Sequence, residues 1–248
     1  MEVVHLKEVD STNRWLREHR GEEDMAVWAD YQTAGRGCGS NSWESETGQN
    51  LLFSVLLHPR EVPAASQFIL SMANALALRD ALAELVGDVT IKWPNDIYWR
   101  DRKICGTLIE TTIRNGSIAT CIIGTGINVN QQLFRSDAPN PVSLRQILGQ
   151  EADREKLLHS VLSHIGQQML LVRQGEWEPV RTRYRCHLYR MQQSHDYLFG
   201  GQRRCCKLVG VTDDGHLQLL PVAGQGEDAE TLCFAFKEVQ FVIEGTAT

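Results

Sequence analysis

The stretch Tyr31 to Ser45, YQTAGRGCGSNSWES, holds three glycines, one arginine and one tryptophan, with almost no apolar residue between them. It cannot bury much surface. Its unobstructed backbone N–H groups could line an anion-binding concavity, and Arg36 could fork onto a carboxylate or a phosphate. Two phosphate motifs fail here. No lysine follows in P-loop register. Gly35 and Gly37 begin a dinucleotide fingerprint, but Ser40 stands at its third glycine and a strand follows. GTGINVN at 124–130 also lacks the third glycine. A surface loop with a solvated arginine remains the simpler alternative for the segment alone.

Four further clusters bear on the choice. KWPND at 92–96 offers Lys92, Asn95 and Asp96 where an apolar strand stops. DRKICG at 101–106 adds Lys103 before another apolar strand. GTGINVN ends a strand with two asparagines, and DSTN at 10–13 puts small hydrogen-bonding side chains at a helix start. Each has a plain structural explanation: a turn, a solvated cation, a helix N-cap. Together they are polar clusters at the ends of apolar strands, where sites on a sheet scaffold are built.

The elements that must carry them are legible in outline. VVHLKEV and MAVWADYQ read as strands flanking a helix from DSTN. NLLFSVLLH is a buried strand, followed by a helix from about Pro63 to Val86. VTIKWPND is a strand ended at Pro94, whose missing N–H forbids central pairing. Asn115-Gly116 between two apolar runs signals a hairpin. Helices follow over about Arg154 to Arg173 and Trp177 to Tyr189. From about His195 short strands alternate with turns. The expected fold is α+β, a mixed-sheet domain with flanking helices over 1–192 and a small β-barrel over 193–248.

Composition narrows the class. At 248 residues, 42% hydrophobic and 23% charged, the chain is ordinary globular protein. A net charge of -6 argues against non-specific nucleic-acid binding. The N-terminus lacks an apolar run for a signal peptide or membrane span. The seven cysteines form no CxxC pair, which disfavours a zinc site or a disulfide framework and fits a reduced, cytoplasmic protein.

DSTN, QTAGRGxxxNSW, KWPND, DRKICGTLIE and IGTGINVN, in this order, resemble the biotin protein ligases, the biotin–[acetyl-CoA-carboxylase] ligases. The resemblance runs from Val3 to the C-terminal AFKEVQFVIE. It implies a catalytic domain related to lipoate ligases and class II aminoacyl-tRNA synthetases, followed by an SH3-like barrel. With STN beginning at residue 11, it implies the short form without a winged-helix DNA-binding domain. The implied substrates are biotin and ATP with Mg²⁺, and no metal site within the protein. The implied partner is a biotin carboxyl carrier domain, with no nucleic acid and no membrane, the enzyme being monomer or homodimer.

Carried over residue by residue, Ser11, Thr12, Asn13, Gln32 and Gly106 match positions lining the biotin pocket. Arg36, Gly37 and Cys38 match the loop that closes over biotin and its activated carboxyl. Lys103 matches the cation at the carboxyl and α-phosphate. Trp43, Lys92, Asn95 and Asn128 match positions near the nucleotide. Arg36, Lys103 and Asp96 are the expected catalytic residues, Asp96 either aiding the incoming lysine or helping to position Mg²⁺. The loop departs from the more basic GRGRxGRxW form. Cys38 and Asn41 stand where arginine is common, which predicts weaker retention of an adenylate. The alternatives are a lipoate or octanoate ligase of the same superfamily and a non-enzymatic biotin sensor.

Overall fold

The computed structural model describes residues 1–19, 21–37, 39, 42–135, 140–222 and 230–243. Cys38 and Asn41, singled out above, lie outside these. Seven strands, β1 (Glu2–Val9), β2 (Met25–Gln32), β3 (Leu51–Leu57), β4 (Val89–Lys92), β5 (Asp96–Trp99), β6 (Arg102–Arg114) and β7 (Ser117–Ile127), form one sheet in the order β1-β2-β3-β7-β6-β5-β4. β1 and β2 pair in parallel through the crossover helix α1 (Thr12–His19). The other neighbours are antiparallel.

The two faces of the sheet are covered unequally. On one, Trp28, Phe53, Val55, Cys121 and Ile123 pack against α2 (Phe68–Ala83), whose residues are apolar nearly all round. Such a helix must be enclosed, and α4 (Arg154–Arg173) and α5 (Trp177–Cys186) enclose it. On the other face α1 buries one apolar side chain, Leu16, against Val27, Leu56 and Ile122, beside the polar Thr12 and Asn13. The rest of that face carries no helix among the described elements.

The Asn115-Gly116 turn is the expected hairpin, with both residues at positive φ, 53° and 80°. α4 has its expected bounds, its N-terminus capped by the Asp153 carboxylate. Other boundaries differ. The helix expected from Pro63 opens as a single 3₁₀ turn, Ala64–Ser66, before α2. The helix expected to reach Tyr189 stops at Cys186. There the chain straightens and pairs with the free edge of β4, His187 O accepting from Ile91 N and Tyr189 N donating to Ile91 O, each at 2.8 Å. β5 was not foreseen: after the Pro94 turn, DIYW returns antiparallel to β4. Nor was α3 (Leu144–Leu148), too short for a periodic signal, though Ser143 and Gln146 form a capping box.

A second, antiparallel sheet follows: β8 (Ser194–Phe199), β9 (Gln202–Val211), β10 (Leu217–Pro221), β11 (Leu232–Phe234) and β12 (Gln240–Phe241), in the order β11-β10-β9-β8-β12. The fold class is therefore α+β, as expected. The inward residues of the second sheet, among them Tyr197, Leu208, Leu217 and Leu219, join the same apolar core as α2. Polar ties cross the seam: Trp93 Nε1 donates to Gly215 O at 2.9 Å, and Arg185 reaches Asp213 at 3.0 Å. No helix among the described residues is long and apolar enough to cross a membrane.

Tyr184 links α5 to the KWPND turn. It is fully buried, and its hydroxyl donates to Pro94 O at 2.7 Å. Tyr184→Phe leaves that carbonyl without its partner and should cost about 1–2 kcal/mol. At about 2–4 °C per kcal/mol for a chain of this size, a thermal melt resolves it. An unchanged Tm would show that water replaces the hydroxyl there.

Candidate active site

On the face opposite α2, β6 and β7 present few side chains along their middle, because glycines stand there. Gly106 pairs directly with Gly126, and Gly124 lies opposite Leu108. Alternate residues Cys121, Ile123 and Ile127 point into the core, so the glycines fall on the other side. The strip is already used closely. A β-carbon at Gly126 would lie 2.3 Å from Trp43 Cε2, and one at Gly106 2.8 Å from Trp43 Cζ3. The indole therefore lies against backbone across the glycine pair. Its Nε1 is buried with no hydrogen-bond partner.

The glycine-rich loop delivers that indole. Its ends are clasped, with an antiparallel bridge between Arg36 and Ser42 and Trp43 N donating to Gly35 O at 3.0 Å. Gly37 is half-buried beside Arg36. At the loop's exit, Asn50 donates to Gln131 Oε1 at 2.6 Å, and the same oxygen accepts from Glu46 N at 3.1 Å. Neither Asn50 nor Gln131 was singled out in the sequence, where a TGQN turn gives no hint of a partner eighty residues on.

One end of the strip is a hydrogen-bonding cluster of hydroxyls and amides closed by one carboxylate, Glu110. Thr12 N and Oγ1 both donate to Gln32 Oε1, at 2.8 and 3.0 Å. The Ser54 hydroxyl lies 2.7 Å from Thr12 Oγ1 and 2.6 Å from Asn13 Oδ1. Asn13 lies over Gly124, where a β-carbon would sit 2.1 Å from Oδ1. Asn13 Nδ2 donates to Glu110 Oε2 at 2.8 Å. Ser11 is buried beside them, its amide held by Asp10 Oδ1. Thr12 and Asn13 thus turn into the sheet rather than cap the helix. Ser54 and Glu110 escaped the sequence reading. A lone hydroxyl inside LLFSVLL was the available signal for Ser54.

The other end is charged. Lys103 Nζ lies 2.8 Å from Asp96 Oδ2 and 5.9 Å from the Trp43 ring centroid. Arg36 does not join this end: it lies 4.0 Å from Glu110 Oε1, the carboxylate bonded to Asn13, which it shares with Arg17 at 3.7 Å. Asn95 Nδ2 donates to Thr107 O at 3.3 Å, which fixes the strand end beside Asp96. Asn128 is buried against β6, its N donating to Ile104 O and its Nδ2 reaching Lys103 O at 3.5 Å. Lys92 faces elsewhere, towards Phe241 of the second sheet, 4.7 Å from its centroid. Burial lowers its pKa, Lys103 and Arg190 lower it further, and Asp96 opposes them. Cys105, beneath the strip, is a buried thiol pushed up by desolvation, and so a core group rather than a nucleophile.

The arrangement suits a flat ligand with a polar ring at the hydroxyl and amide end and an anion at the Lys103 end. The family model described as "Biotin/lipoate A/B protein ligase family" matches residues 6–128, which carry both ends of the strip. The biotin protein ligase of Aquifex aeolicus, solved in complex with biotin and ATP, superposes with a TM-score of 0.80 at 28% identity, covering 97% of this chain and 99% of that one. This chain belongs to the biotin/lipoate protein ligase family. A relative within it, the bifunctional ligase/repressor BirA of Salmonella typhimurium, is 34% identical over 74% of this chain, which spans 58% of that protein's length. The biotin–[acetyl-CoA-carboxylase] ligase of Paracoccus denitrificans is 27% identical, covering 89% of this chain and 95% of its own.

The seat of the indole in this ligase-family fold can be checked directly. Gly126→Ala drives a β-carbon into the ring and should displace Trp43, at a cost of about 1–3 kcal/mol if it cannot move freely. Subtracting the emission of the corresponding Trp43→Phe proteins isolates this indole, and a red shift is expected. An unshifted difference spectrum would mean that the ring does not rest on the glycine pair.

Proposed function

We propose that the chain is an ATP-dependent biotin protein ligase acting on a biotin carboxyl carrier domain. The observation that carries the reading is the glycine strip of β6 and β7 with Trp43 laid on its Gly106–Gly126 pair, the Thr12–Asn13–Gln32 cluster and Arg36 towards one end and Lys103 with Asp96 at the other. Biotin has the matching shape: a ureido ring able to donate and accept, an apolar middle, and a carboxylate. The names of the Paracoccus and Aquifex relatives support the same substrates.

In this reading Ser11, Thr12, Asn13 and Gln32 take the ring, and Gly106 lets the ligand approach the backbone. The loop residues Arg36, Gly37 and Cys38 close over the carboxyl end. Biotin's carboxylate oxygen attacks the α-phosphorus of ATP, and the bond to the bridging oxygen breaks to release pyrophosphate. Lys103, a compact cation, offsets charge at that phosphate. The acceptor's lysine amine then attacks the acyl carbon, and AMP leaves. Trp43 and Asn128 serve the nucleotide, with Lys92 and Asn95 at the strand end. Mg²⁺ arrives as the counter-ion of ATP, with Asp96 the carboxylate beside the phosphates. Water must be kept from the mixed anhydride, which the clasped loop suits. Residues 1–192 form the catalytic unit and 193–248 the barrel. Without arginine at Cys38 or Asn41, the adenylate should dissociate faster than from a Cys38→Arg variant. Equal rates would remove that expectation.

The deciding experiment is the mass of an apo carrier domain after incubation with ATP and Mg²⁺, with biotin in one tube and lipoate in another. One biotinyl group added only with biotin, and lost in Lys103→Ala, is expected. Asp96→Asn separates the roles of Asp96: if it aids the amine, pyrophosphate exchange persists while transfer falls. No biotin-dependent ATP consumption would overturn the reading.

A further inference from the structure

The charge at the ligand mouth is almost fully spent within the protein. Lys103 is matched by Asp96 at 2.8 Å, and Arg36 is turned to the Asn13 end, where it shares Glu110 with Arg17. The loop from Tyr31 to Ser45 carries no other cation. A nucleotide triphosphate brings several negative charges to this mouth, of which its Mg²⁺ offsets only two.

One further cation reaches the loop, and it comes from the second sheet. Lys237 Nζ lies against the backbone of Gly39: a β-carbon there would sit 2.5 Å from it. Among the described residues no carboxylate pairs with Lys237; its one ring contact is its neighbour Phe236, at 5.9 Å. Lys237 is exposed, so its ammonium is open to a ligand.

The turn that presents it is fixed. Glu238 N donates to Ala235 O at 3.1 Å, and Ala235 N to Glu238 Oε2 at 2.7 Å. Phe236 packs edge-on to Trp93 of KWPND, with centroids 6.1 Å apart. Trp93 is itself buried and tied to Gly215 O. The turn thus packs on Trp93 of KWPND through Phe236 and reaches the glycine-rich loop at Gly39 through Lys237. Its φ is +75°, at the third position of a turn where glycine or asparagine is preferred. A lysine held in that conformation, unpaired and over the loop, has no structural explanation in the turn.

We infer that Lys237 is a binding cation of the ligand site, supplied by the second sheet, which holds a phosphate of the bound nucleotide and of the adenylate. The inference rests on the ligase reading and deepens it. The second sheet then contributes a residue to the site as well as a wall to the core.

The test compares wild type with Lys237→Gly, Lys237→Met and Lys237→Arg. Glycine suits the positive φ, so Lys237→Gly keeps or raises Tm while removing the charge. Methionine keeps the length without the charge. In biotin-dependent ATP–pyrophosphate exchange, the Gly and Met variants should raise KM for ATP about fivefold, with kcat little changed. Both should shorten the lifetime of the bound adenylate and weaken the dependence of KM on salt, and Arg should restore all three. Wild-type KM and adenylate lifetime in both the Gly and Met variants would overturn the inference. If wild type shows no exchange, the ligase reading falls. Calorimetric titration of the same proteins with ATP then judges Lys237 separately: weaker binding by Lys237→Gly upholds its role, and equal binding, or none by any protein, overturns it.

Discussion

A sheet has two faces, and a soluble domain normally covers both. Here the molecule depends on leaving part of one face uncovered. Three glycines on β6 and β7 remove the side chains that would otherwise need a helix over them, and let the Trp43 indole lie directly on the backbone. The covered face must then supply the stability. That explains why α2 is apolar nearly all round and lies enclosed between the sheet, α4 and α5. The stiffness of that layer keeps Gly106 opposite Gly126.

Around the strip, each polar group has a partner that would have to be exchanged or shared when a ligand enters. Thr12 and Gln32 satisfy one another, as do Lys103 and Asp96. Glu110 holds helix α1 through Asn13 and Arg17, and the loop through Arg36. A ligand with complementary donors and charges loses little in displacing such contacts. One lacking them would strand buried groups, at about 1–3 kcal/mol each. The unpartnered Trp43 Nε1 is the exception, a buried donor left over.

Much of this was legible in the sequence because it is local. The Asn115-Gly116 hairpin, both ends of α4 and the change of texture near Ser194 each follow from residues within a few positions. The motifs at strand ends also pointed to one site, and Thr12, Asn13, Gln32, Arg36, Lys103 and Asp96 do gather on one face. What escaped depends on register and distance along the chain. Ser54 and Glu110 are unremarkable until the pairing of β3, β6 and β7 decides which way they face. Lys92 belongs to a strand-end motif, yet it turns towards Phe241 because the second sheet lies there. Lys237 meets Gly39 across almost the whole length of the chain.

The shared core has a further consequence. Tyr197, Leu208 and Leu217 pack into the same apolar cluster as Leu76 and Ile91. Among the described residues one apolar core runs unbroken between the two sheets. The smaller sheet is therefore poorly suited to exchange between relatives as an independent module. A substitution in its interior must be accommodated by a core that also holds Trp93 of KWPND, so the sequences of the two sheets are constrained together.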